Sequence, residues 1–408
     1  MVPRLRGNWS PPGDKSMTHR ALILSSIAEG RSHLYHALNA QDTLATASCL
    51  RSLGIKMEMG SQKIAVIGQG LCGLKEPSRI LDCKNSGTSL RLLTGLLSAQ
   101  KFESILTGDA SLRKRPMGEL VSVLTSWGAS IQLSSRKTAP VKIKKPIQKP
   151  KLLKIKFSYS SAQYKSALLL AGLYLDRLPQ ITETFSSRDH TERLLKRMGI
   201  PPRADNLYIP GDLSSAAPIL ALATLLPGSN VKIQQVGLNP GRLGFVSILQ
   251  KMGGHIEITK QEEDYEPWGD MVVQSARLKA IHVTPEMSMR AIDELPLVCL
   301  LATQAEGVTR VEGASSLRFK ESNRLQLTYL TLKKIGAKIQ VTPDGFRISG
   351  PTRLSGGKVS TQKDHRMAIL FSVAQYVTSG DLKLEETRSI ANSFPDFKKT
   401  LNRLCEKN

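Results

Sequence analysis

Lys15, Arg20, Arg115, Arg188, Lys320, Arg324 and Arg366 all fall close to points where apolar helical patterns begin. Cations are disfavoured there. The macrodipole puts about half a positive charge at a helix N-terminus, and one more costs roughly 0.3–1 kcal/mol. The same end offers free backbone N–H groups, so it is a ready anion site. Arg grips carboxylate and phosphate oxygens bidentately, and Lys meets them as a point charge. Any one of these cations reads equally well as half of a surface ion pair. As a set they point to two anionic ligands, each with several negative charges.

Polar stretches carry these residues, and most stand just ahead of an apolar run. They include GDKSMTHR at 13–20, NSGTSLR at 85–91, SSAQYK at 160–165, MRAIDE at 289–294 and KDHR at 363–366. GDLSSAA at 211–217 has no cation. RKRP (113–116), SSRDHTER (186–193), NPGR (239–242) and RFKESNR (318–324) supply the remainder. Ser16, Thr88 and Ser161 are expected as N-caps. Gly87 has no Cβ, so either a ligand lies against the backbone there or the residue serves a tight turn. Asp293 and Glu294 open an otherwise apolar helix, and Glu321 sits between Lys320 and Arg324. A carboxylate among cations is ready to accept a proton, although capping or pairing within the helix would use the same residues. The G-x-x-x-x-G-K-[ST] loop of nucleotide enzymes is absent, and GDASLRKR (108–115) contains no G-x-G-x-x-G.

The elements that must position these residues repeat along the chain. LRSLGIKMEM (50–59), LTSWGASIQL (124–133), LKRMGIPPR (195–203), LQKMGGHIEI (249–258) and LKKIGAKIQV (332–341) each read as a helix end, a glycine cap and a strand. The C-terminal LNRLCEKN reads as one more copy, cut off after its helix. A second, more apolar helix precedes each, as in HRALILSSIAEG and HRMAILFSVAQYV. The chain therefore consists of about six copies of a unit with two helices and several short strands. Strands such as IKMEM alternate, so one sheet face meets helices and the other is wet. Two domains of three units each are expected. KKPIQKPKLLK (144–154) is expected as a basic surface loop.

At 408 residues, 40% apolar and 22% charged, the composition is that of a globular protein with a sizeable core. The net charge of +23 favours polyanions or phosphorylated metabolites as partners. Cys49, Cys72, Cys83, Cys299 and Cys405 are odd in number and scattered, which suggests reduced thiols rather than a disulfide framework. MVPRLRGNWSPPG lacks the apolar core of a signal peptide, and runs such as SALLLAGLYL are too short to span a membrane. A soluble, cytoplasmic protein is expected.

The motifs PGDKSMTHRALIL, NSGTSLRLL, RKRPM, SAQYKSALLLAGL, SRDHTE, DELP, LRFKESNRL, KDHRMAI and SFPDF, in this order, resemble the 3-phosphoshikimate 1-carboxyvinyltransferase (EPSP synthase) family. The resemblance runs end to end, and SAQYK and RDHTE look like its bacterial class II branch. It implies an α/β fold of two similar domains, each of three βαβαββ units with helices inside and sheets outside. This is the inside-out α/β barrel of the enolpyruvyl transferases. One domain would take residues 14–229, and the other 1–13 plus 230–408. The two would close over the substrates.

The implied reaction moves the enolpyruvyl group of phosphoenolpyruvate to the 5-hydroxyl of shikimate 3-phosphate by addition and elimination. It releases phosphate and uses no metal or organic cofactor. By the same resemblance, Lys15, Ser16, Arg20, Ser161, Ala162, Gln163, Arg188, Asp293 and Lys320 would hold shikimate 3-phosphate. Lys15, Gly87, Arg115, Gln163, Arg324 and Arg366 would hold phosphoenolpyruvate. Asp293 would accept the hydroxyl proton, and Glu321 and Lys15 are the candidates for delivering a proton to the methylene carbon. The enzyme is expected to act as a monomer on these two small molecules, without nucleic acid or membrane.

Three departures stand out. Asn392 replaces a Lys of one branch, NPGR replaces the class II N-P-T-R, and Ser316 stands where some members have Asn. Two rivals are weaker. A UDP-N-acetylglucosamine enolpyruvyl transferase would carry a reactive Cys in GDASLRKRP, and none is there. A nucleic-acid-binding repeat protein would need stacking aromatics, which are only 5% of residues. Tolerant class II members can carry Ala at the place of Gly87, crowding the inhibitor glyphosate. The glycine predicts sensitivity, so glyphosate at concentrations that saturate the phosphoenolpyruvate site should inhibit strongly, and weak inhibition there would refute the reading.

Overall fold

Six helices carry the most apolar runs, and each is buried almost all the way round, as a helix apolar on every side must be. They are Lys15–Ser26, Gly87–Leu97, Ala162–Gly172, Leu213–Leu225, Leu295–Gln304 and His365–Ala374. Others bury one stripe only: Phe397–Leu404 buries Phe397, Thr400, Leu401 and Leu404. The computed structural model describes residues 3–60, 63–148, 153–157 and 160–406. Gly54, Gly128, Gly199, Gly253 and Gly336 follow five helix ends with φ between 88° and 97°, a region closed to most side chains. These are the glycines of the sequence repeat. The sixth copy has no such glycine, and its helix runs directly into a short strand, Cys405–Glu406.

The chain divides into two compact units, Gly13–Ile209 and the residues up to Pro12 together with those from Pro210 onward. The expected border at 229/230 lies some way downstream of this division. The reason is the helix Leu213–Leu225, whose Leu213, Ile219, Leu220 and Leu222 join one core with Leu5, Trp9, Val231 and Ile233.

Among the described residues each unit contains three separate sheets, two of them mixed and the third a single parallel pair. In Gly13–Ile209 the first runs Asn206–Tyr208, Glu29–Tyr35, Lys63–Gln69, Lys56–Met59, and the second Leu81–Asp82, Ser104–Thr107, Val141–Lys145, Ser130–Gln132. The third pairs Lys154–Lys156 with Gln180–Thr182. One parallel pair in each sheet ties one repeat to the next, and Asn206–Tyr208 of the last repeat lies parallel to Glu29–Tyr35 of the first. Of the basic stretch expected as a loop, Lys144 and Lys145 end one strand and Lys154 opens another, while 149–152 lie outside the described residues.

The second unit repeats this plan. His282–Val283 lies parallel to Gly307–Val311, and Leu354–Ser360 to Thr378–Glu385. Its remaining link is the N-terminal strand Arg4–Trp9, parallel to Asn230–Gly237 and antiparallel to Cys405–Glu406. The first dozen residues thus complete a sheet otherwise built from the C-terminal half. Residues 13–209 expressed alone should therefore fold cooperatively. Residues 210–408 alone should not, because the missing strand leaves Asn230–Gly237 as a bare edge. Thermal unfolding of both fragments, with 210–408 also mixed with a 1–12 peptide, tests this; a cooperative transition of 210–408 by itself would count against it.

Candidate active site

Within residues 13–209, three of the buried helices begin at polar turns. Asp14 caps the first and accepts from Met17 N at 2.8 Å; Ser86 caps the second and accepts from Ser89 N at 3.1 Å. The expected caps Ser16 and Thr88 are instead residues of the first turns, whereas Ser161 does cap Ala162–Gly172, accepting from Tyr164 N. Short acids and hydroxyls at these ends accept the orphan donors of the first turn, which leaves the neighbouring cations to be matched separately.

Lys15, the first helical residue, meets Asp42 at 2.8 Å. Arg20 is 2% exposed, and several neutral groups hold it. It donates through Nε to Thr191 at 2.9 Å, through Nη2 to Ser166 at 2.8 Å and through Nη1 to the Ser16 carbonyl at 2.9 Å. Arg115, 4% exposed, donates to Asn85 Oδ1 at 2.7 Å, and Asn85 in turn donates to Asp109 at 2.6 Å. Gln163 lies between two groups, accepting from Arg91 at 2.7 Å and donating to Thr88 at 2.9 Å. Arg188 is half-buried in the segment leading into His190–Met198. Lys165 is not part of this cation set: burial works against its charge, but Glu192 and Glu183, at 2.9 and 3.0 Å, raise its pKa above the usual lysine value.

His19 lies under Lys15 and Arg20, with no exposed surface. Burial first, then the charges of Lys15 and Arg20, hold its imidazole well below the usual histidine range. It stays neutral, so it adds nothing to the positive charge above it.

The second unit gathers the acids. Asp293 Oδ1 accepts from Lys320 at 3.2 Å and lies 3.5 Å from Arg324 Nη1. Arg324, 2% exposed, is clasped by the fully buried Asp364, with Nε to Oδ2 at 2.9 Å and Nη2 to Oδ1 at 3.1 Å, and it also pairs with Glu321. Burial opposes the guanidinium charge, but Asp364 and then Glu321 hold its pKa above the ordinary arginine value. Asp364 also caps His365–Ala374 through Arg366 N, so one carboxylate fixes both a helix start and the Arg324 guanidinium. Arg366 reaches the Ser214 carbonyl at 3.4 Å and Glu294 at 3.5 Å. The stretch 211–217, which has no cation of its own, acquires Arg242 from NPGR: its guanidinium donates to Asp212 at 2.6 Å and to Ser214 at 3.0 Å.

The expected residues divide between the units, Lys15, Ser16, Arg20, Gly87, Arg115, Ser161, Ala162, Gln163 and Arg188 in one and Asp293, Lys320, Glu321, Arg324 and Arg366 in the other; hydrogen bonds tie Arg20 to Ser16 and Ala162 in the first, and ion pairs join Asp293, Lys320, Glu321 and Arg324 in the second. Sequence reasoning missed Asp42, Arg91, Asp364 and Arg242 as parts of the network. Asp42 is a lone charge with no local motif, and Arg242 stood inside the quoted NPGR, whose spacing does not name Asp212 as its partner. Arg91 and Asp364 stood inside quoted motifs, but nothing in their spacing names Gln163 or Arg324 as a partner.

The family model for EPSP synthase (3-phosphoshikimate 1-carboxyvinyltransferase) matches residues 2–401. The chain belongs to this family. A 3-phosphoshikimate 1-carboxyvinyltransferase of Bacillus licheniformis is 38% identical, the match covering 100% of this chain and 99% of the relative. One of Geobacillus kaustophilus is 40% identical, covering 97% of each. An EPSP synthase of Acinetobacter baumannii has the same fold, with a TM-score of 0.86 at 37% identity, covering 99% of this chain and 97% of that one. The enolpyruvyl transferase NikO of Streptomyces tendae, at 16% identity and a TM-score of 0.75, shares the fold alone. The fold is the two-domain α/β architecture of the enolpyruvyl transferases, and the chain is an enzyme of enolpyruvyl transfer in aromatic amino acid biosynthesis. Among the described residues no helix is long and apolar enough to cross a membrane.

Gly87 is the first residue of its helix, and a Cβ there would stand 2.7 Å from Arg91 Nη1 and 3.0 Å from Arg115 Nη1. Both atoms are tips of flexible side chains, so Gly87→Ala should fold with little change in Tm. It should push the guanidiniums aside and raise the KM for phosphoenolpyruvate about tenfold, the equivalent of roughly 1.4 kcal/mol. Unchanged steady-state kinetics would show that neither guanidinium position matters for binding.

Proposed function

We propose that the enolpyruvyl transfer of this chain uses Asp293 as the base that takes the 5-hydroxyl proton of shikimate 3-phosphate. The observation that carries this is the position of Asp293 Oδ1 against Lys320 and Arg324, at 3.2 and 3.5 Å. Two cations keep a carboxylate ionised and acceptor-only, which a base requires. Lys320 lies where it can orient the hydroxyl that Asp293 deprotonates. Lys15, Ser16, Arg20, Ser161, Ala162, Gln163 and Arg188 bind the rest of shikimate 3-phosphate, with buried Arg20 anchoring the surface on which its phosphate sits. Lys15, Gly87, Arg115, Gln163, Arg324 and Arg366 are the contacts to phosphoenolpyruvate.

In the addition, the deprotonated oxygen bonds to C2 of phosphoenolpyruvate while C3 gains a proton and becomes a methyl group. Lys15 is the donor of that proton in this reading. Glu321, paired with Arg324, is an acceptor and suits the elimination, in which C3 loses a proton as the C2–O bond to phosphate breaks. The chain acts on these two small molecules as a monomer. It works in the cytoplasm, in keeping with its scattered, unpaired cysteines.

Phosphate release from phosphoenolpyruvate should require shikimate 3-phosphate and should not occur with UDP-N-acetylglucosamine. Asp293→Ala should lower kcat by about 10²–10⁴, the usual worth of a positioned general base, with KM for phosphoenolpyruvate within a few-fold of the parent. A variant with near-normal kcat would remove Asp293 from the role of base.

A further inference from the structure

A chain of four buried side chains lies beneath the Lys15–Asp42 pair. His19 Nδ1 is 2.7 Å from Thr46 Oγ1, Thr46 Oγ1 is 2.6 Å from Ser89 Oγ, and Ser89 Oγ donates to Ser86 Oγ at 2.8 Å. None is more than 1% exposed. The chain crosses three helices, Lys15–Ser26, Gln41–Ser52 and Gly87–Leu97. Its positions have a simple logic: His19 is four residues after Lys15 and Thr46 four after Asp42, so the His19–Thr46 bond is a second rung one helical turn below the Lys15–Asp42 rung. At the far end it closes on Ser86, the cap that sets the start of the helix headed by Gly87.

Counting protons fixes the direction of the chain. A hydroxyl has one proton to give. Ser89 gives its own to Ser86, so Thr46 must give its own to Ser89. Thr46 then has only lone pairs left for His19, and Nδ1 must be the donor. The imidazole is therefore the Nδ1–H form, and its other nitrogen, Nε2, is a bare acceptor with no hydrogen-bond partner among the described residues.

We infer that His19 is a positioning residue for the transfer reaction: through Thr46 and Ser89 it holds the Ser86 cap, and with it Gly87, at a fixed place relative to Lys15. A donor is required at the head of the chain. Without one, Thr46 is free to turn its proton elsewhere, Ser89 loses its partner, and the cap is held only by its own helix. This rests on the roles proposed above for Lys15 and Gly87 in holding phosphoenolpyruvate. It goes beyond them in assigning a buried residue that touches neither substrate.

The test combines spectroscopy with kinetics on the full chain. In ¹⁵N-labelled protein the His19 ring should show a protonated Nδ1 and an unprotonated Nε2, a readout that does not depend on activity. Thr46→Val, which keeps the shape and cuts the chain, should raise the KM for phosphoenolpyruvate about fivefold to twentyfold, in the range of one or two lost hydrogen bonds. Its kcat should stay within about twofold, and Tm should show it folded. His19→Phe should behave the same way. His19→Asn, whose amide N–H can stand in for Nδ1–H, should return KM to within about threefold of the parent. An Nε2–H ring, a Thr46→Val enzyme with parental KM, or an Asn variant no better than Phe would each overturn the inference. Parental protein that fails to turn over phosphoenolpyruvate would instead defeat the proposed substrate roles and leave the ring assignment standing.

Discussion

Buried positive charge has to be matched, and in this fold the match decides where the side chains of the site can sit. Arg20, Arg115, Arg242 and Arg324 are all 5% exposed or less. Removing one partner of a buried ion pair costs about 3–5 kcal/mol, because the other charge is stranded. Arg242 and Arg324 have carboxylates in direct contact, Asp212 and Asp364. Arg20 is held by Ser166, Thr191 and backbone carbonyls, and Arg115 by the Asn85 amide oxygen. Hydrogen bonds to neutral groups thus help fix these two guanidiniums, as carboxylates help fix the other two.

The same logic explains why helix starts dominate the site. A buried helix exposes its first turn of N–H groups, and in this chain six such helices begin at polar turns. Capping residues use up some of these donors: Asp14, Ser86, Ser161, Asp212 and Asp364 each accept from their own first turn. What remains is an ordered set of donors and cations on rigid elements, a better platform for charged substrates than mobile loops. The neutral His19 fits this economy. A buried histidine that charged would add to the repulsion between Lys15 and Arg20, and its surroundings prevent it.

Much of this was readable in the chain. The repeat of helix, glycine and strand appears in the structure with each of five glycines at positive φ, because only glycine takes that conformation without strain. The clustering of cations at helix starts was legible because it violates the dipole preference. Other features were not. The N-cap is the residue whose side chain reaches the free N–H groups, and in two helices it proved to be the residue two positions ahead of the expected one, Asp14 rather than Ser16 and Ser86 rather than Thr88. The unit border moved from 229/230 to 209/210 because Leu213–Leu225 chooses its core by packing, which local sequence does not specify.

By itself the sequence determined the family, since residue type and motif order are properties of the chain, and it determined the repeat, since a glycine cap is a local requirement. Only the tertiary structure decided the pairings: Lys15 with Asp42, Gln163 with Arg91, Arg324 with Asp364, His19 with Thr46. Each joins residues 27 to 72 positions apart. Such contacts depend on how helices pack around a shared core, and packing is settled by the whole set of buried side chains rather than by any one stretch.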